Sequence, residues 1–225
     1  MLRKTETVPS TISIGCIIRD AEVFNLKNWT DNFFMNTDSL LQSVSYLFKL
    51  FSERQIEYVL VGGIAMLQYI EGRNTRNINI IIALESIQQL PEITVLNQDE
   101  DFVRGQFETL QIDFLLTRNL LFEKVKNEYT TIHTFIEHEI PCATVEGLLL
   151  LKLYALPSLY RQSNFARVGL YENDIGTLIH YYQPNLSSLL TQLEPHLSHS
   201  DLNELHKIVD EIQQRIKRFH KGFDE

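Results

Sequence analysis

Residues 58–65 read Tyr-Val-Leu-Val-Gly-Gly-Ile-Ala, and this stretch decides the fold of the chain. The apolar, β-branched run from Ile56 to Val61 is typical of a central strand. Gly62 and Gly63 end that strand where the backbone must turn sharply, because glycine adopts such conformations without strain. The sequence therefore predicts a strand, a glycine turn and a helix that begins at Ile64.

A second predicted strand, residues 77–83, carries polar side chains on one face. Because successive side chains of a strand point to opposite faces, Asn77 and Asn79 share a face and lie about 6.6 Å apart. Asp113 is the single charged residue in a further predicted strand at 109–116. A glycine turn beside such polar side chains is the layout of a nucleotide and metal site.

The flanking sequence predicts further helices and strands. Apolar periodicity favours a helix at 37–54 that is capped by Thr37, and the alternation over 11–18 favours one short strand in an N-terminal extension. After residue 83 the patterns predict helices at 85–90 and 120–129 and strands at 102–107, 109–116 and 131–135, the last of which is expected to be the final strand.

The last third of the chain is predicted to be helical. Pro141 is interpreted as a break, and Thr144 as the cap of a buried helix that Pro157 ends. Further helices are predicted at 158–166, 172–182, 186–195 and 201–221. The expected fold class is α/β (α+β), a mixed-sheet domain followed by a C-terminal helical bundle. The expected divisions are an N-terminal extension at 1–35, an α/β domain at 36–143 and a helical domain at 144–225.

Composition narrows the function classes. A formal net charge of −9 over 225 residues argues against non-specific coating of nucleic acid, because that binding requires many basic side chains. Cys16 and Cys142 match no metal-binding or disulfide spacing, which fits a reducing compartment. No apolar run reaches the ~20 residues that span a bilayer, and the N-terminus lacks a secretory signal. We therefore expect a cytoplasmic protein with no membrane partner.

Several blocks of the chain resemble the signature of the minimal nucleotidyltransferases, the polymerase β-like superfamily, in its bacterial AbiEii toxin-like branch. Residues 59–65 and 73–80 are similar to the pattern LVGG-x-A followed by R-x-T-x-D-I-D. The strand at 111–114, the lysine-bearing helix at 144–155 and, more weakly, the segment from Arg167 to Leu178 continue the likeness. The resemblance covers about residues 40–180.

The resemblance implies transfer of a nucleotide from an NTP to an RNA or protein acceptor, with Mg²⁺ as the cofactor, in a toxin–antitoxin or defence setting. It implies nucleotide-binding roles for Gly62, Gly63, Arg73 and Thr75. It implies catalytic positions at Asn77, Asn79, Asp113 and Lys152, with Asp113 also a metal ligand and Asp174 an accessory residue.

The chain departs from the family where the chemistry is most demanding. Asn77 and Asn79 stand where the family has aspartates, and Leu170-Tyr171 stands where it has Lys-Asp. An asparagine offers a carbonyl oxygen without charge, and each lost unit charge near a metal forfeits several kcal/mol at an effective dielectric constant of about 20. A two-metal site is therefore not expected to assemble, and transfer is expected to be weak or absent.

Two main interpretations remain open from the sequence, and a third is that the helical half serves mainly as an oligomerisation or antitoxin-like surface. In the first, the chain belongs to an enzyme lineage, and Asn77 and Asn79 are either engineered changes or part of an unusual metal arrangement. In the second, it is a pseudo-enzyme that contacts a protein or nucleic-acid partner. Lys152 can equally be a lysine that reaches solvent along an apolar surface, and Asp113 a charge that faces solvent. The sequence leaves the oligomeric state open.

Overall fold

The structure, a computed structural model, describes residues 12–23, 37–71 and 75–221. Its strands form one mixed seven-stranded sheet. The strands are β1 (Tyr58–Val61), β2 (Ile78–Ile82), β3 (Thr94–Gln98), β4 (Phe102–Phe107), β5 (Leu110–Leu116), β6 (Thr130–Thr134) and β7 (Glu139–Ala143). The α-helices are α1 (Ile14–Val23), α2 (Thr37–Glu53), α3 (Gly62–Met66), α4 (Leu84–Gln88), α5 (Leu120–Glu128), α6 (Val145–Arg161), α7 (Phe165–Tyr182), α8 (Leu186–Leu193) and α9 (His199–Lys221).

The strand order across the sheet is β3-β4-β5-β2-β1-β7-β6. β2 runs parallel to β5 and β1 runs parallel to β7, whereas the other neighbouring pairs are antiparallel. The register places Val61 opposite Asn79, Asn79 beside Asp113, and Asp113 opposite Arg104. Four strands thus bring three polar side chains and the glycine turn into one row, and the mixed-sheet fold class is confirmed.

The two faces of the sheet differ in polarity. On one face α2 covers the strands: the ring of Tyr46 lies 5.6 Å from that of Phe107, and the ring of Phe51 lies 4.7 Å from that of Tyr58. Along β4, buried residues alternate with exposed ones, so Arg104 points away from the face that carries Phe107. The polar row therefore lies on the face opposite α2.

The chain beyond Ala143 is helical throughout its described part, as the sequence predicts. Thr144 caps α6, because its Oγ1 accepts a hydrogen bond from the backbone N–H of Gly147 at 3.3 Å. Asn164 and Asn185 cap α7 and α8 in the same way. α6 packs against α7, α8 and α9, which makes it the centre of the C-terminal bundle.

The predicted strand near the N-terminus is wrong for its described residues, because a helix, α1, begins at Ile14. Glu137, far away in the sequence, accepts hydrogen bonds from the backbone N–H groups of Ile14 and Gly15 and from the hydroxyl of Ser13. A carboxylate at this position stabilises a helix N-terminus. Ser13 also caps the helix locally, because its Oγ accepts a hydrogen bond from the backbone N–H of Cys16 at 3.2 Å. The contribution of Glu137 is not visible in the local sequence. Thr11, where the predicted strand begins, lies outside the described residues.

Two prolines do not act as the sequence analysis expects. Pro141 lies inside β7, so the strand at 130–134 is not the final one. Pro141 lies opposite Ile132 of β6, and β7 registers with β1 at Cys142, opposite Leu60. The proline removes one possible ladder donor and does not break the strand. Pro157 lies inside α6, which continues to Arg161, because packing in the bundle outweighs the loss of one backbone hydrogen bond.

Two further differences from the predictions concern the division between α6 and α7 and an additional strand, β3. The predicted helix at 158–166 is the end of α6 and the start of α7, and the one predicted at 172–182 is the later part of α7. β3 has no counterpart among the predicted strands, because all five of its residues are exposed and no alternation marks it.

No helix in the three described ranges combines the length and the apolar character needed to cross a membrane.

Candidate functional site

The glycine turn between β1 and α3 is shaped to receive neighbouring side chains. Gly62 has φ +66°, a left-handed conformation that disfavours residues with a Cβ atom. A Cβ on Gly62 would lie 2.9 Å from the side-chain amide of Asn79, and one on Gly63 would lie 2.5 Å from Thr75 Oγ1. The two glycines therefore let β2 and the segment before it approach the turn closely.

Replacing Gly62 with alanine is expected to lower the free energy of unfolding by about 1–3 kcal/mol, because the left-handed backbone and the contact with Asn79 both oppose a methyl group. Gly169 provides the matched control, since a Cβ there meets nothing within 4 Å in the interior of α7. Gly169→Ala should raise stability by about 0.5–1 kcal/mol. Urea unfolding followed by circular dichroism measures both. Equal effects of the two substitutions would contradict the role assigned to the turn.

Asp113 is held by two donors, one from each neighbouring strand segment. The side-chain Nδ2 of Asn77 donates to Oδ2 of Asp113 at 3.0 Å, and Nε of Arg104 donates to Oδ1 at 2.7 Å. Asn79 in turn donates from Nδ2 to the backbone carbonyl of Asn77 at 3.2 Å. The Asp113 side chain is 19% exposed and that of Arg104 is 48% exposed. The carboxylate is therefore engaged through both of its oxygens and does not simply face solvent.

Lys152 forms a buried ion pair at the junction of α6 and α7. Its Nζ donates to Oδ2 of Asp174 at 2.7 Å, and the two side chains are 6% and 2% exposed. The ammonium also lies 4.3 Å from the ring centroid of Tyr171, within the range of a cation–π interaction. The ammonium of Lys152 thus contacts a buried carboxylate and the face of an aromatic ring. The alternative in which it reaches solvent is wrong.

A cleft of about 1120 Å³ separates the polar row of the sheet from the α6–α7 helices. Its described walls carry five basic side chains and three acidic ones, although the whole chain has a formal net charge of −9. The basic residues are Arg76, Arg104, Lys152, Arg161 and Arg167, and the acidic ones are Asp99, Asp113 and Asp201. Asp174 neutralises Lys152 from behind the wall, which leaves an excess of one positive charge, and this excess favours an anionic ligand.

His196 also lines the cleft, on the side formed by the C-terminal helices. Burial lowers the pKa of its imidazole, and the nearby positive charge of Lys124 lowers it further. Folding therefore favours the neutral imidazole, so His196 adds less positive charge at neutral pH than an exposed histidine would.

The structure brings most of the sequence-predicted site residues to this cleft. The residues that line it are Gly62, Gly63, Thr75, Asn77, Asn79, Asp113 and Lys152. Asp174 lies behind Lys152 as its buried partner, and Arg73 lies outside the described residues. Among the residues that the structure describes, no group of three or more His, Cys, Asp or Glu side chains is placed to hold a metal ion.

The sequence analysis missed Arg104, although a signal for it was present. β4 and β5 form a hairpin whose last pair, Phe107 and Leu110, encloses a two-residue turn. Counting three residues back along β4 and three forward along β5 pairs Arg104 with Asp113 on one face. A basic residue opposite the single acidic residue of a strand was therefore predictable once the register was fixed.

Comparisons with known proteins give a likeness in fold. No protein-family model matches the chain, and no curated protein matches its sequence. An antigenic nucleotidyltransferase-like protein from Paracoccidioides brasiliensis is similar at 15% identity and a TM-score of 0.46, over 74% of this chain and 91% of that one. The antibiotic-resistance factor ANT(2'')-Ia is similar at 10% identity and a TM-score of 0.47, over 80% of this chain and 97% of that one.

A second structure of ANT(2'')-Ia, in complex with adenylyl-2''-tobramycin, is similar at 9% identity and a TM-score of 0.46, over 77% of this chain and 98% of that one. These values describe a partial likeness in the course of the chain and carry no statement about ligand or reaction.

Proposed function

We propose that this chain is a nucleotide-binding protein with the architecture of a nucleotidyltransferase, in which nucleotide transfer is weak or absent. The observation that carries the proposal is the state of Asp113. This residue is the one carboxylate among the three positions where the sequence signature expects carboxylates, and each of its oxygens accepts a hydrogen bond, one from Asn77 and one from Arg104.

The side chains at this position do not fit the pair of Mg²⁺ ions that nucleotidyl transfer requires. Mg²⁺ prefers carboxylate oxygens, and here the charges of Asp113 and Arg104 cancel, while Asn77 and Asn79 are neutral. A divalent ion and a guanidinium about 5 Å apart repel by roughly 7 kcal/mol at an effective dielectric constant of about 20. Solvent around the half-exposed guanidinium reduces this repulsion but does not reverse its sign. We therefore derive no catalytic step through a metal.

Binding of a nucleotide needs less than its transfer, and the cleft retains what binding needs. The glycine turn keeps the backbone open beside Asn79, and the cleft volume of about 1120 Å³ is at the upper end of the range for small-molecule sites. The excess of basic side chains on its walls suits a phosphate chain. An NTP is the ligand class that we propose.

The sequence signature favours the AbiEii toxin-like branch, and we propose a toxin–antitoxin or defence setting on that basis. In that lineage the nucleotide passes to an RNA or protein acceptor, and the same cleft in this chain would retain the nucleotide without passing it on. Assembly with a protein or nucleic-acid partner remains the alternative, and the experiment below separates the two.

We expect isothermal titration calorimetry to detect binding of at least one of the four NTPs, and we expect no Mg²⁺- or Mn²⁺-dependent incorporation of labelled nucleotide into RNA or protein. Reversing a charge on the cleft wall with Arg167→Glu should weaken binding about tenfold or more. Lys217→Glu makes the same change on an exposed part of α9 and should leave binding unchanged. Absence of binding by every NTP would contradict the proposal and favour the partner-binding alternative, and sustained incorporation would show an active transferase.

A further inference from the structure

We propose that Arg104 takes the place of a divalent metal ion in this cleft and holds a phosphate of the bound nucleotide through its guanidinium. This inference rests on the proposed function, because it names the group that recognises the phosphates at the same site. It explains how a cleft suited to phosphate can bind a nucleotide although its side chains do not fit a metal ion.

The first step is the position of Arg104. Arg104 lies on β4 opposite Asp113 on β5, and Asp113 is in register with Asn79 on β2. Asn79 in turn lies against the glycine turn at Gly62. The guanidinium therefore stands at the end of the polar row, beside the side chain on which a metal would have to sit.

The second step is the donor capacity of the side chain. Nε of Arg104 is committed to Oδ1 of Asp113 at 2.7 Å, and a guanidinium carries four further N–H donors on its two Nη atoms. The Arg104 side chain is 48% exposed and lines the cleft. A planar fork of this kind binds phosphate oxygens in a bidentate manner, which a lysine ammonium does not.

The third step is the role of Asp113 and Asn77. Asp113 fixes the orientation of Arg104, and Asn77 fixes that of Asp113 through its 3.0 Å hydrogen bond. Together these contacts form a chain of hydrogen bonds that ends in the guanidinium of Arg104 and fixes its orientation.

The experiment compares ATP and adenosine as ligands, each in EDTA and in Mg²⁺, for the full chain and three variants. The unmodified chain should bind ATP in EDTA at least as tightly as in Mg²⁺, because Mg²⁺ bound to the triphosphate offsets its charge. Arg104→Gln should weaken ATP binding about tenfold or more and leave adenosine binding unchanged, and Arg104→Lys should fall between the two.

Asp113→Asn is the discriminating variant. It removes the negative charge beside the guanidinium but keeps an amide oxygen that can accept from Nε. The orientation of Arg104 is therefore retained, and ATP binding in EDTA should stay equal or become tighter by up to about tenfold. If Asp113 instead holds a metal for the nucleotide, ATP binding requires Mg²⁺ and Asp113→Asn abolishes it, and that result overturns the inference while the proposed nucleotide binding stands.

Two further outcomes are informative. ATP binding in EDTA that is unaffected by Arg104→Gln overturns the role of Arg104 but not nucleotide binding. Failure of the unmodified chain to bind any nucleotide, with or without Mg²⁺, overturns the proposed function and this inference together. Thermal melting followed by circular dichroism shows which variants are folded, and Arg104→Lys retains the charge if Arg104→Gln does not fold.

Discussion

Replacing Lys152 with methionine is expected to lower the free energy of unfolding by about 3–5 kcal/mol, a large fraction of the total for a domain of this size. The substitution keeps an unbranched stem of similar length but leaves the carboxylate of Asp174, which is 2% exposed, without its ammonium partner. An interior charge that loses its ion-pair partner has lost its hydration without keeping that attraction. The lost cation–π interaction with Tyr171 adds a smaller cost.

A second substitution distinguishes the burial of the charge from general damage to the bundle. Removing both charges, with Lys152→Met and Asp174→Leu together, should recover most of the lost stability, because an apolar pair of similar volume does not carry the desolvation cost. Lys207→Met provides the control on the surface: Lys207 pairs with Glu204 at 3.1 Å, but the two side chains are 69% and 55% exposed.

That control should change stability by no more than about 1 kcal/mol. Urea unfolding curves for these four proteins and for the single variant Asp174→Leu give all the values needed for a double-mutant cycle. A Lys152→Met variant as stable as the unmodified chain would contradict the buried ion pair.

The parts of the fold that were predictable from the sequence are those that depend on local chemistry. β1 and β2 are recognisable because their buried residues are contiguous or alternate, and the turn at Gly62 is recognisable because it requires a left-handed backbone. The cap at Thr144 is recognisable because the threonine hydroxyl lies three residues before Gly147, whose backbone N–H donates a hydrogen bond to it. In each case the atoms that cause the structure are neighbours in the sequence.

The parts that were missed depend on residues far apart in the chain. At the start of α1, Glu137 adds to the local cap of Ser13 from more than 120 residues away. α6 continues past Pro157 because it packs against other helices of the bundle. The local sequence pattern does not show these contacts. β3 is an edge strand with every residue exposed, so no burial pattern marked it.

The candidate site was predictable in its positions but not in its internal contacts. The sequence identified Asn77, Asn79 and Asp113 as one group, and the register of β2 and β5 brings them together. It gave no sign that Asn77 donates to Asp113, because that contact depends on side-chain orientation across two strands. It also left Tyr171 as a mere departure from the family pattern, whereas the ring lies against the ammonium of Lys152.

Introducing two aspartates, with Asn77→Asp and Asn79→Asp, is expected to make the stability of the chain depend on divalent metal. In EDTA the double variant should be less stable than the unmodified chain by roughly 1–3 kcal/mol, because a carboxylate then replaces the amide that lies 3.0 Å from Oδ2 of Asp113. With Mg²⁺ or Mn²⁺ at a hundredfold excess over the dissociation constant, binding should return about 2.7 kcal/mol. The melting temperature of the unmodified chain should not respond to either ion.

The controls for this variant follow from the same geometry. Adding Asp113→Asn to the double variant should abolish the response to metal, because two carboxylates from one strand then lack the third from β5. Adding Arg104→Gln should strengthen the response, because it removes the positive charge that lies against Asp113 at 2.7 Å and competes with the ion.

The same proteins can be assayed for Mg²⁺- or Mn²⁺-dependent incorporation of labelled NTP. If the double variant incorporates nucleotide and the unmodified chain does not, the two asparagines are the cause of the difference. A double variant that neither responds to metal nor incorporates nucleotide would contradict a descent from the metal-dependent transferases, because three carboxylates in this register should then meet at one ion.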